Sequence, residues 1–318
     1  MSSGPYRPTN WALGGANVKH VDIPITAVFL VLFILGAATH MTIFQLNRRR
    51  GHKFIFSVLL FGFCMSRIAT TTLRIASTSL PTNLNLSIAA SIFVAAGVLL
   101  IFIVNLLFTQ RVVRAMHPTW GWHKGFKIFL VSNYVLIVLS LVMVITATVQ
   151  SFFTLSTNTR RIDRDIQMYG QSFFMLFSFY PIPLLTIALL LPRKQRTDKF
   201  GSGRFRTKIA ILYASSILAC LGASYRAATS YLTPVSQREP LPDYFHKVAF
   251  YLVNFGIEII IVYMFAILRI DLRFHVPNGA RGSYAVKTEE ETFGDTAQEE
   301  SKDPIMNDAN AMDHAQLV

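Results

Sequence analysis

The chain has 318 residues, of which 52% are hydrophobic and 15% charged, with 26 Phe and a mean hydropathy of +0.43. Average soluble domains carry about 25% charged residues. The composition therefore argues against an ordinary soluble domain, and it rules out a disordered chain and, with two Cys, a disulfide scaffold. The net charge of +13 could suit nucleic acid, but its placement between long apolar runs points to a membrane and away from a nucleic-acid partner.

Residues 1–22 are polar and lack the basic, apolar and small-residue succession of a cleaved signal peptide. Seven apolar runs of spanning length follow, at 23–46, 54–77, 87–108, 128–149, 168–191, 209–232 and 248–268. Each is long enough to cross about 30 Å of hydrocarbon at about 1.5 Å per residue. The expected fold is all-α, an integral membrane bundle of seven transmembrane helices over residues 23–275. The second and sixth runs carry Arg, so a six-span arrangement with the second run in an interface is the alternative. Cys64 and Cys220 both fall inside apolar runs and read as small buried hydrophobes.

Basic residues fix the expected orientation. One set of alternate connections holds 15 Lys and Arg, the other 7, counted along the chain. The heavier set, including Arg48, Arg111, Arg193 and Lys208, is expected in the cytoplasm, with the N-terminus outside and the C-terminus inside. Residues 276–318 change character: nine acids stand against two bases after Ser283, and a disordered cytoplasmic tail is expected.

Polar residues within the runs are the most informative feature. Span two carries Arg67 and Arg74 on one helix face, span six carries Arg226, and span seven carries Glu258, read as the one acid well inside any span. The helical rise puts Arg67 about 20 Å along its span and Glu258 about 15 Å down the opposite way, so the two should meet in depth. Arg226, at about 25 Å, and Arg74, at about 30 Å, lie shallower. Two readings follow for Arg67, Arg226 and Glu258: a ligand-binding pocket open to the outer side and suited to an anionic ligand or lipid headgroup, or an internal salt bridge that fixes packing. Arg74 is expected to snorkel to the interface. His40 and Asn105 read as interhelical glue, and Tyr180-Pro181-Ile182-Pro183 as a kink in span five.

The run 201–208 is basic with interleaved Phe, as expected of a segment that meets anionic membrane lipids. Trp120 and Trp122 read as interfacial anchors. No phosphate-binding glycine loop, HExxH, CxxC or GxSxG occurs, and the His residues lack ligand spacing, so neither an enzyme nor a cofactor or metal is expected. Asn85-Leu86-Ser87 is a formal glycosylation acceptor that abuts the third span.

The tracts 39–53, 158–165, 204–210 and 273–279 together resemble a fungal family of multi-pass membrane proteins catalogued as domain of unknown function 3112. The resemblance covers roughly residues 20–280 and implies a fungal origin and a seven-helix fold, without an activity. Span three ends Thr109-Gln110-Arg111-Val112 rather than Asp-Arg-Tyr, and span seven lacks both Asn-Pro-x-x-Tyr and a mid-span Lys. Rhodopsin-like signalling motifs and a retinal Schiff base are therefore not expected. Three functions remain open: a receptor-like sensor with a small ligand and a cytoplasmic protein partner, a lipid or small-solute transporter, and a structural membrane component.

Overall fold

The computed structural model describes residues 4–52, 54–192, 197–276 and 284. Seven helical spans form the bundle. They are α1 (Lys19–Arg49), α2 (Ile55–Ser79), α3 with α4 (Leu84–Gly97 and Leu99–Met116), α5 (Lys124–Phe153), α6 with α7 (Thr157–Phe179 and Pro181–Leu190), α8 (Phe205–Tyr231), and α9 with α10 (Lys247–Tyr251 and Ile257–Ile267). A π-helical turn at Leu252–Gly256 joins α9 to α10, and a short α11 (Ile270–Arg273) follows. No strand occurs among the described residues. In hydrocarbon every backbone polar group must bond within its own segment, which makes helices the only solution for runs this apolar. Seven crossings put the start of the first span and the end of the seventh on opposite faces, here called the N-face and the C-face.

Several helices outrun their apolar runs. The third span begins at Leu84 and ends at Met116, and the fifth begins at Thr157 rather than near Met168. The polar residues 157–167 are helical because Ser156 caps the start, its hydroxyl accepting the Thr159 N–H at 3.4 Å. Helix α1 starts within the polar N-terminal segment: the Asp22 carboxylate accepts the Val18 N–H at 2.6 Å.

The expected glue is present. Ser215 Oγ donates to Asn105 Oδ1 at 2.9 Å, tying span six to span three, and His40 Nε2 lies 3.2 Å from the Val262 carbonyl. The break in span five falls at Tyr180, where Pro181 starts α7 and lacks the donor that would continue the ladder.

The C-face half is closed by aromatic packing. Phe108 stacks on Phe274 with centroids 4.5 Å apart and meets Phe56 at 4.6 Å, while Phe200 joins Phe274 at 6.3 Å. Arg111 lies 4.5 Å over the Phe56 ring and donates to the Phe274 carbonyl at 2.5 Å. Below this plug the chain turns at Arg269, whose φ of 49° is left-handed. Asp271 holds that turn. It accepts from Arg269 Nε at 3.0 Å and from the buried Asn47 Nδ2 at 2.8 Å.

Side chains at the C-face ends of the helices are drawn in. His117 and Lys208 are buried: His117 Nε2 meets the Ala188 carbonyl at 2.8 Å, and Lys208 donates to the Phe200 carbonyl. Trp122 packs inward, under Arg114 and against Tyr284. The expected acidic tail lies outside the described residues, as do Lys53, Arg193, Lys194 and Arg196 of the charge count. Tyr284 alone is described beyond Val276, and its ring is buried against Phe200.

Candidate functional site: an arginine-lined cavity at the N-face

The N-face is built differently. Residues 9–14 run beside the connection between spans six and seven, with an isolated bridge between Asn10 and Ser236. The Trp11 N–H donates to the Val235 carbonyl at 2.8 Å and the Gln237 N–H to the Thr9 carbonyl at 2.9 Å. Together they roof a cavity of about 570 Å³ whose walls come from spans two to seven. That size falls within the roughly 300–1,000 Å³ of small-molecule sites.

Three guanidinium groups line the cavity: Arg74, Arg164 and Arg226. No Asp or Glu occurs among the described residues that line it. Each Arg is held differently. Arg74 lies 4.0 Å over the Phe250 ring and 3.4 Å from the Asp22 carboxylate. Arg164 Nη2 donates to the Leu232 carbonyl at 2.8 Å. Arg226 Nη1 donates to the neutral Asn254 side chain at 3.2 Å.

Asp22 is fully buried and joins three elements: it accepts from Lys247 Nζ at 2.5 Å and from the Tyr251 hydroxyl at 2.7 Å, besides Arg74. Arg74 therefore does not snorkel. Its side chain is 11% exposed and turned inward, because a carboxylate and an aromatic face lie within the bundle and neither lies at the lipid edge. Nor is Glu258 alone as a buried acid: Asp22 and Asp163 are buried too, both in polar helical extensions that a hydropathy reading leaves outside the spans.

Arg67 and Glu258 meet as their depth implies. Arg67 Nη2 donates to Glu258 Oε1, with both side chains almost wholly buried. Arg67 Nη1 also donates to the Phe93 and Val94 carbonyls, each at 3.1 Å. These carbonyls lie beside the break between α3 and α4, so the guanidinium caps an interrupted helix inside the membrane. Gly97 makes this possible: a Cβ there would come within 2.8 Å of Arg67 Cζ.

The three expected site residues thus divide. Arg67 and Glu258 form a pair two helical turns beyond Arg74 and one beyond Asn254, and neither is among the cavity's lining residues; Arg226 is. Asn254 lies in the π-helical turn, a feature that recurs at functional sites. Sequence reading missed Arg164, Gln167 and Gln171 at the cavity. Their signal was present as an i, i+3, i+7 polar stripe, but Arg164 and Gln167 sit before the fifth apolar run, where the chain reads as a loop, and Gln171 falls just inside its start.

No curated protein and no solved structure shows significant similarity to the chain. A family model described as a protein of unknown function, DUF3112, matches residues 118–207 and 201–275. That stretch runs from the C-face end of span four through span seven, and it includes Arg164, Arg226, Asn254 and Glu258. The chain is a multi-pass membrane protein of the DUF3112 family.

Proposed function

We propose that this protein is a receptor-like membrane sensor that binds an anionic ligand in the N-face cavity. The observation that carries the reading is the pairing of three Arg with no acid around one cavity of ligand size. A positive, partly dehydrated pocket concentrates anions and holds them more strongly than a solvated surface does. In this reading the N-terminus and cavity face outward and the C-face meets the cytoplasm, as the excess of basic residues there favours. The basic C-face loops would meet anionic lipids and a cytoplasmic protein partner. The aromatic plug weighs against transport, which needs a polar path through both halves. Among the described lining residues no nucleophile is set against a base, and the proposal is binding without chemistry.

The test uses the full chain in phosphatidylcholine nanodiscs. Thermal unfolding is followed while inorganic phosphate, citrate and a neutral polyol are titrated in. Anions should raise the melting temperature of the parent and leave Arg226→Gln unmoved, while the unliganded variant melts close to the parent. Equal stabilisation of parent and variant, or none by any anion, overturns the reading. Protease access to tags at each end in intact cells checks the orientation, and a protected N-terminal tag reverses it.

A further inference from the structure

The cavity's chemistry narrows its ligand, on the strength of the anion-binding reading just given. Charge comes first. Of the three lining Arg, Arg74 is ion-paired with Asp22, while Arg164 and Arg226 have no ion pair among the described residues, which leaves two positive charges. A carboxylate would leave one of them uncompensated, and a dianion would balance both. Arg geometry favours phosphate as well, since its planar fork matches two phosphate oxygens at once.

Among the three lining guanidiniums, Arg226 is the one free to serve. Arg74 is committed to Asp22 and Phe250, and Arg164 to a backbone carbonyl. Arg226 has only a neutral amide as its hydrogen-bond partner, with Glu258 acting on it through space, so an anion can displace or share that amide.

The rest of the lining is unlike a lipid-tail site. Gln167 and Gln171, one helical turn apart on α6, both line the cavity, and neither side chain has a hydrogen bond among the described residues. Ser87 and Ser91 present hydroxyls from α3 at the same four-residue spacing. Amides and hydroxyls arranged around a cationic centre match a ligand that carries its own hydroxyls.

We infer that the cavity takes a polyol phosphomonoester, with its phosphate on Arg226 and Asn254 and its hydroxyls on Gln167 and Gln171. A free sugar or inositol phosphate and a phosphorylated inositol headgroup on a lipid share this chemistry. The experiment separates them. Full-length protein in phosphatidylcholine nanodiscs is titrated with myo-inositol 1-phosphate, inorganic phosphate and citrate. A second set of nanodiscs is doped with phosphatidylinositol 4-phosphate or with phosphatidylserine.

At least one polyol phosphomonoester, free or lipid-borne, should bind about tenfold or more tightly than inorganic phosphate and citrate. Stabilisation by the soluble ester assigns a free ligand, and stabilisation only by the doped lipid assigns a headgroup. The double variant Gln167→Leu, Gln171→Leu should lose that preference while keeping its affinity for inorganic phosphate, whereas Arg226→Gln should lose both. Anion binding without polyol preference, or a preference unchanged in the double Gln variant, overturns this inference and leaves the sensor reading standing. Absence of any anion binding overturns both.

Discussion

The two halves of the bundle are made from the same seven spans and solve opposite problems. Toward the C-face, Phe56, Phe108, Phe200 and Phe274 fill the interior, and two cations, Arg111 and Lys208, are held over ring faces and donate to backbone carbonyls. Toward the N-face, rings such as Phe250 and Tyr251 pack beside charged and hydroxyl groups, and a cavity is left. Helix breaks mark the border between the two: the α3–α4 junction at Val98 and the π-helical turn at 252–256. A packed half depends on shape, because lipid tails accommodate apolar surface as readily as side chains do and only close packing favours the bundle. A charged half needs partners, because each bare charge at membrane depth costs several kcal/mol. The comparison teaches that the Arg67–Glu258 pair is a boundary element: it caps the broken helix and lies one turn from Asn254 of the cavity, outside the lining itself.

The largest way to break this arrangement is at that boundary. Glu258→Gln leaves the Arg67 guanidinium buried without its counter-charge and should lower unfolding stability by about 3–5 kcal/mol, read from thermal or denaturant unfolding in detergent. The double replacement Arg67→Met, Glu258→Leu should recover most of that loss. If Glu258→Gln instead melts like the parent and loses anion binding, the pair belongs to the ligand and the division drawn here is wrong.

Next comes the packed half. Phe108→Ala removes the ring at the centre of the plug and should cost about 3 kcal/mol, through lost contacts and a residual void. Anion affinity at the N-face should not change. A parallel loss of affinity would show that the halves are coupled.

Smaller effects test the turn beneath the plug. Burial alone would raise the Asp271 carboxyl, but hydrogen bonds from Arg269 and Asn47 outweigh it and hold the group below its ordinary 3.8. The unfolded chain therefore takes up that proton first. The stabilisation is complete above about pH 5 and is lost as pH falls through 3.8 toward the folded value. Asp271→Asn should cost about 1–2 kcal/mol at neutral pH and flatten that acid limb in a pH series of melts.

The smallest effect concerns His52 and His275, whose rings meet with Nδ1 and Nε2 3.1 Å apart. Burial, then the neighbouring His52 and Arg111, push His275 below its ordinary 6.5. Its folded form thus binds fewer protons. Stability should fall as pH drops below 6.5, by under about 1 kcal/mol because the pair is partly exposed, and His275→Gln should remove the dependence.

Much of the architecture was legible in the sequence because hydropathy reports directly on the solvent of each segment. Seven runs gave seven spans, and depth along two antiparallel helices placed Glu258 beside Arg67. The cavity was harder to read for a physical reason. Asp22, Arg164 and Gln167 lie on helical turns that extend past the hydrocarbon, where a polar sequence fits a loop or a helix equally well. The cap on Ser156 and the contact of Asp22 with Lys247 decide for helix, and the second is a tertiary fact. Arg74 misled in the same way. A long cation near a span end satisfies itself by bending outward unless a partner waits inside, and Asp22 comes from another helix.

The π-helical turn at 252–256 has a genealogical consequence. Such a turn holds one residue more than an α-turn would in the same place. Deleting any one residue there would restore a regular helix and rotate everything after it by about 100° relative to everything before. Tyr251, before the turn, binds Asp22; Glu258, after it, binds Arg67. Both bonds are made at once only because the extra residue lies between them. In an alignment of relatives, a one-residue gap across 252–256 should therefore travel with replacement of one of these two pairs, and a chain that keeps both should keep the full count of residues between them.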